Sequence, residues 1–333
     1  MAFEIPPDHK FALIALEGPL VRDALSYELQ VAPGVWVFPE SPLDIDEWWG
    51  EGVGSFDLRH YKDSHLYLLT TAHSATPGVF DAENQALIRH LHGFLQGLLT
   101  CEAVRYSWAR MISGAREGER APNPRQYSFL PACYPQSNTR HLELDDPLAV
   151  VAHNVGQAIL AIYHQVPHLL APTPRLQAGT RLRRGFNALL DGLRQRDGAP
   201  RLHAFVRALE GLVHPRRGNS ERQWVHRCQT LAGHHSADVL SEMYQLRSAE
   251  EHLNDFRDVL ENPAATLRVF QAEVLACSAF RRIFENPTLR THFRNDNSIA
   301  AFWRSRTPGP QRLWGQPTDI REGSLRASRR IVR

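Results

Sequence analysis

The chain has 333 residues, 43% of them hydrophobic and 22% charged, and a formal net charge of +2 at pH 7. That is apolar material for one large domain or two ordinary ones, and the near-neutral balance excludes a generally basic nucleic-acid coat. No run of about 18 apolar residues occurs, so no membrane span is expected. Prolines and charges over residues 1–13 stand where a signal peptide would be apolar, which makes a cytoplasmic location the expectation.

Up to residue 145 the pattern is mixed and strand-like. Residues 11–16, 66–71, 104–112 and 126–130 are short apolar or β-prone runs, expected as strands. Pro33-Gly34 and the glycines of 50–54 punctuate them. One strong helix interrupts, from about Asp81 to Leu99. The Asp81 carboxylate suits the N-cap, and Leu87, His90, Leu91, Phe94, Leu95 and Leu98 recur at helical spacing. Residues 114–125 read as an exposed loop and 136–147 as a linker. Asp44, Asp46, Glu47, Trp48 and Trp49 read as a solvated turn with half-buried tryptophans.

After Pro147 nearly everything predicts helix: 147–165, 181–195, 200–213, 219–232, 236–261, 264–285 and 297–305. Ser236 suits a cap and Pro263 a first turn, where its missing N–H costs nothing. Residues 307–333 form an Arg/Pro/Gly-rich tail expected to be flexible. The fold class is therefore α+β: a mixed α/β domain over 1–145, then an all-α helical bundle over 146–306. No fixed-period repeat is present.

The four cysteines, Cys101, Cys133, Cys228 and Cys277, form no CxxC pair, so buried free thiols are expected and not a zinc site. His90/His92 and His234/His235 lack the spacing that places two imidazoles on one helix face. No metal and no cofactor are expected. Neither GxxxxGK[ST] nor a GxGxxG after a strand nor GxSxG occurs, which removes P-loop, dinucleotide and hydrolase-elbow readings. Arginine far outnumbers lysine, and its planar fork suits phosphate. Arg181, Arg183 and Arg184 cluster, as do Arg216, Arg217, Arg222 and Arg227; solvated helix faces are the plainer reading.

In the segment 236–261, Val239, Met243, Leu246, Ala249, Leu253, Phe256 and Leu260 step by three and four, predicting one apolar stripe. Beside it stand Arg247 and His252. The run Met243 to Asn254, MYQLRSAEEHLN, resembles the signature of HEPN domains, an arginine followed after four to six residues by a histidine. Tyr244, Leu246 and Ser248 match the context of the Apea-like branch. Upstream, FVRALEGL resembles that branch's leucine–glutamate–x–leucine helix, and WVHRCQTL, with Arg227, its arginine-bearing helix. The resemblance covers residues 147–305.

It implies a metal-independent endoribonuclease, a toxin or antiviral effector, in which the RNA 2′-OH attacks the adjacent phosphorus. His252 would move the proton, Arg247 would clamp the phosphoryl oxygens, and Ser248 would assist. Arg227, Arg222, Arg217 and Arg216 are the candidate RNA-binding residues, with Glu210, Tyr244 and Glu251 in support. A five-residue helical step separates Arg247 from His252 by about 140°. The resemblance implies that a homodimer, its two motif helices meeting, completes the cleft; under the endoribonuclease hypothesis the N-terminal mixed domain would sense or regulate, and a regulatory protein partner is a further candidate. The alternative is a non-catalytic RNA-binding, dimerisation or scaffold module, since Glu250 and Glu251 beside the histidine repel RNA. Plain structural roles stand beside both: an i,i+4 pair of Arg247 with Glu251, and Glu210 as a helix-surface carboxylate.

Overall fold

The computed structural model describes residues 3–18, 21, 24–45, 49–115, 125–133, 144–163, 180–215, 218–233, 237–251 and 263–306. The fold is α+β. It divides into two compact units, the first built on a sheet and the second on helices. Among the described residues no helix is long and apolar enough to cross a membrane.

The sheet unit starts from β1 (His9–Glu17), whose seven middle residues are all buried. A strand covered on both faces belongs at a sheet centre. It lies between β4 (Leu66–His73) and β5 (Trp108–Ala115), antiparallel to each. With β2 (Leu29–Ala32), β3 (Val35–Phe38) and β6 (Arg125–Phe129), the order is β2-β3-β4-β1-β5-β6. The β2–β3 hairpin was not among the expected strands. Pro33-Gly34 makes its turn; Gly34 sits at φ 70°, and a Cβ there would meet Thr71 O at 2.4 Å, so only glycine fits. The strand expected over 104–112 begins later, at Trp108.

Alternation along β1 splits its side chains between two layers. Phe11, Leu13 and Ala15 join Phe38, Tyr67, Leu69 and Ile112 beneath α1 (Trp49–Val53) and α2 (Ser55–Asp63), where Trp49 and Tyr61 are wholly buried. Trp49 thus belongs to the core and not to a half-buried turn; Asp46, Glu47 and Trp48 lie outside the described residues.

The opposite sheet face meets α3 (Ala82–Thr100). Asp81 caps α3 as expected, accepting from Glu83 N at 2.8 Å while Asn84 Oδ1 accepts from Asp81 N. Lys10, 0% exposed, leaves the sheet to meet Asp81 at 2.8 Å and Glu83 at 3.0 Å. Ser74 also donates to Glu83, and Asn84 Nδ2 donates to Ser113 Oγ and Gly114 O. A buried ammonium persists only when it is paired. Its burial opposes the charged form, yet the hydrogen bonds and charges of Asp81 and Glu83 outweigh this and raise the Lys10 pKa. Its hydrogen bonds hold Asp81 low, and Ser74 and then Lys10 hold Glu83 low.

Helix α4 (Asp146–Tyr163) backs α3, and most of it belongs to the sheet unit. Gly93, Gly97 and Gly156 let the two backbones touch. A Cβ on Gly97 would lie 1.9 Å from Ala152 O, and one on Gly156 2.4 Å from Gly93 O.

The helical unit comprises α5 (Arg181–Arg194), α6 (Gly198–Val213), α7 (Ser220–Ala232), α8 (Ala237–Glu251), α9 (Pro263–Glu285), α10 (Pro287–His292) and α11 (Asp296–Arg304). Helices α5 and α6 run antiparallel in close contact, Gly185 against Ala208 and Gly211, Gly192 against the Phe205 ring. Phe186, Phe280 and Phe284 fill the space between α5 and α9. All four cysteines are buried and outside any disulfide, as expected. The tail from residue 307 onward lies outside the described residues.

Two outcomes are expected. Gly97→Ala forces α3 and α4 apart and costs about 2 kcal/mol or more, read by urea unfolding. Lys10→Ala strands two carboxylates and costs about 2 kcal/mol, below the range for a wholly buried pair because the acids keep water. Since Asp81 and Glu83 are held low, their contribution is present above the usual carboxylate range and is lost as pH falls through it; the Lys10→Ala effect should shrink in acid.

Candidate functional site

The three helices singled out by resemblance are α6, α7 and α8, and they pack together. Among the described side chains of α8, the buried ones are Leu240, Met243 and Arg247. Val239 and Leu246, expected in the apolar stripe, are only half-buried, and Leu253, Phe256 and Leu260 lie outside the described residues. Apolar spacing alone would leave Arg247 beside the core. The structure turns α8 so that Arg247 enters it.

The cause is Glu210 on α6. Arg247 Nη2 donates to Glu210 Oε2 at 3.0 Å, and Arg247 is 7% exposed. Its guanidinium carbon also lies 5.6 Å from the Tyr244 ring centroid, a cation–π distance. Tyr244 in turn tilts against the buried Trp224 of α7, 5.6 Å between centroids. Arg207, one turn before, approaches the same carboxylate at 3.9 Å. Arg247 therefore pairs across helices with Glu210, and Glu210 is not a plain surface carboxylate. Next to this pair Cys228 is wholly buried, and burial first, then the Glu210 charge, raises its thiol pKa, so no thiolate nucleophile forms there.

The turn of α6 that follows Glu210 is fixed by Arg227. Its Nη1 donates to Val213 O at 2.7 Å and His214 O at 2.6 Å, and its guanidinium sits 5.4 Å from the Trp303 ring centroid. Trp303 Nε1 donates to Leu212 O at 2.9 Å, and His214 N to Glu210 O at 3.0 Å. A helix C-terminus leaves its last carbonyls without intrahelical donors, and a cation suits its partial negative charge. Arg227 thus holds α6 in place, with its head spent on that terminus. No spacing signal in the sequence links Trp303 to this cap, since the two lie about 90 residues apart.

Of the remaining candidates, Arg222 is exposed on α7, and Ser248 is half-buried one residue beyond Arg247. Helix α7 is tied to α8 by Glu221, which accepts from Ser241 and, at 3.2 Å, from Gln245 Nε2. His252, Arg216, Arg217 and the Glu251 side chain lie outside the described residues. Sequence reasoning also missed the buried pair of Arg201 on α6 with Glu273 on α9, at 2.6 Å. Each looks like an ordinary surface charge until the helices are packed.

Among the described residues no group of three or more His, Cys, Asp or Glu side chains is placed to hold a metal ion. No family model matches this chain, and neither a curated protein nor a solved structure matches it.

Either Arg247→Ala or Glu210→Ala removes one half of this interior pair and should cost about 3 kcal/mol. Replacing both, as Arg247→Met with Glu210→Leu, should recover most of the loss. A double-mutant cycle by denaturant unfolding checks this; additive losses would mean that the pair is not coupled.

Proposed function

We propose that the helical unit is an HEPN-like module acting on RNA, and that the protein is a metal-independent endoribonuclease. The observation that supports this reading most is a convergence. Glu210 of the LEGL-like run and Arg247 of the YQLRS run, on two separate helices, meet at 3.0 Å. The resemblance placed both near one site, although 37 residues separate them in the chain.

In this reading Glu210 sets the guanidinium rotamer, and the Arg227 cap fixes the turn that carries Glu210. Pre-organised cationic donors act where charge builds on the phosphoryl oxygens. The neutral His252 imidazole takes the 2′-OH proton as the oxygen attacks phosphorus. The P–O5′ bond breaks, the leaving oxygen gains a proton, and a 2′,3′-cyclic phosphate remains. A homodimer through the helical unit would bring the second histidine to the cleft. The sheet unit then serves sensing or regulation, with a regulatory protein partner, and toxin or antiviral action in the cytoplasm is the matching role.

A second reading, a non-catalytic RNA-binding or dimerisation module, is favoured by the burial of Arg247 and by its existing carboxylate partner. A buried, paired guanidinium must open before it grips phosphate. Arg247 would then serve packing.

The two readings separate in one experiment. RNA is incubated with wild type and with His252→Ala in EDTA, and products are assayed for a cyclic-phosphate end. Wild type should cut, and His252→Ala should lose about 10²-fold or more. Equal cutting by the variant sinks the assignment. RNA binding that persists in Arg247→Ala, with no product from wild type, selects the second reading.

A further inference from the structure

His90 on α3 and His153 on α4 face each other across the helix seam, their Nε2 atoms 2.9 Å apart. The ring centroids are 5.2 Å apart, so the rings meet nitrogen to nitrogen and do not stack. The Gln157 amide nitrogen, one turn further along α4, approaches the same His153 Nε2 at 3.5 Å. An amide nitrogen only donates. Assigning that nitrogen as the donor to His153 Nε2 places the lone pair there and the shared hydrogen on His90 Nε2.

The helices around this contact have no slack. Gly97 and Gly156 set α3 and α4 backbone to backbone, and the Phe94 ring stands edge-on to His153 at 5.7 Å. A shift that relieves a repulsion between the rings has to part these backbone contacts. A proton added at His90 Nδ1 leaves the N–H···N contact in place. One added at His153 Nε2 sets N–H against N–H.

The charged surroundings give no relief. On α3 the adjacent titratable groups are Arg89 and His92, and His92 faces Gln96 at 3.4 Å. Between Asp146 and Tyr163, α4 has no titratable group besides His153. On the sheet face behind α3, alternation from Leu16 back along β1 brings one charge, Lys10, already held by Asp81 and Glu83. No carboxylate in this set is left to neutralise an imidazolium.

We propose that the His90–His153 pair is a proton-operated clasp, which holds α4 on α3 while His153 is neutral and releases it when His153 takes a proton. The clasp is independent of the RNA-cleaving reading, since it lies in the sheet unit. Burial lowers both imidazoles, and burial together with the His90 charge takes His153 to about 4. An unfolded histidine takes its proton near 6.5. Between those values the unfolded chain binds more protons, so the sheet unit loses stability as pH falls from about 6.5 toward 4 and not above that window.

The test is hydrogen exchange of the full chain at pH 7 and pH 4.5, corrected for intrinsic rates, with α9 as internal reference. In wild type, exchange in α4 should rise about tenfold relative to α9. In His153→Gln, which keeps a hydrogen-bonding side chain but cannot titrate, the rise should stay within about twofold. Histidine NMR should show His153 Nε2 unprotonated well below pH 6.5. An equal rise in wild type and variant, or both imidazoles titrating near 6.5, overturns the clasp. Should His153→Gln fail to fold, His153→Asn is read by the same criteria.

Discussion

A charge that leaves water inside this protein has to meet its opposite, and the helical unit is arranged around that requirement. Helix α6 carries two such groups, Arg201 and Glu210, on inward positions. Glu273 of α9 answers the first and Arg247 of α8 the second. Apolar packing is non-directional and tolerates rotation of a helix about its axis. An ion pair at about 3 Å does not tolerate it. The rotation of α8 that buries Arg247 in place of a stripe through Leu246 follows from the second pair. Arg227 and Trp303 then satisfy the carbonyls at the end of α6, so the turn bearing Glu210 is held from both sides.

The same rule acts in the sheet unit through Lys10. The central strand places an ammonium against the first turn of α3, where Asp81 and Glu83 both complement it and favour the helix N-terminus. Helix, strand and charge are thereby registered together. Helix α4 completes the layer by backbone contact at three glycines. There the imidazoles of His90 and His153 meet with their Nε2 atoms 2.9 Å apart, the contact on which the proposed clasp rests.

Much of the fold was legible in the sequence where the signal is local. The apolar run of β1, the capping aspartate of α3 and the proline opening α9 each act over a few residues. The β2–β3 hairpin was less so: its strands are four residues each, too short for a periodic pattern, though Pro33-Gly34 marked the turn. Arg247 and Glu210 were both readable as candidates, from resemblance. Their mutual contact was not, because it joins helices 37 residues apart. Arg227 stood out as a basic residue suited to phosphate, yet its donors go to the carbonyls of α6.

By itself the sequence determined the α+β class, a strand-bearing part ahead of an all-helical one, cysteines outside any disulfide and the residues with chemical capacity. These follow from composition and from periods of two and 3.6 residues, which every short window carries. Only the tertiary structure decided which charges are partners, which face of α8 turns inward, and that His90 finds an imidazole on α4 and none along its own helix. Such pairings depend on how distant segments pack, and hydrophobic spacing states that a face is buried without stating what lies opposite.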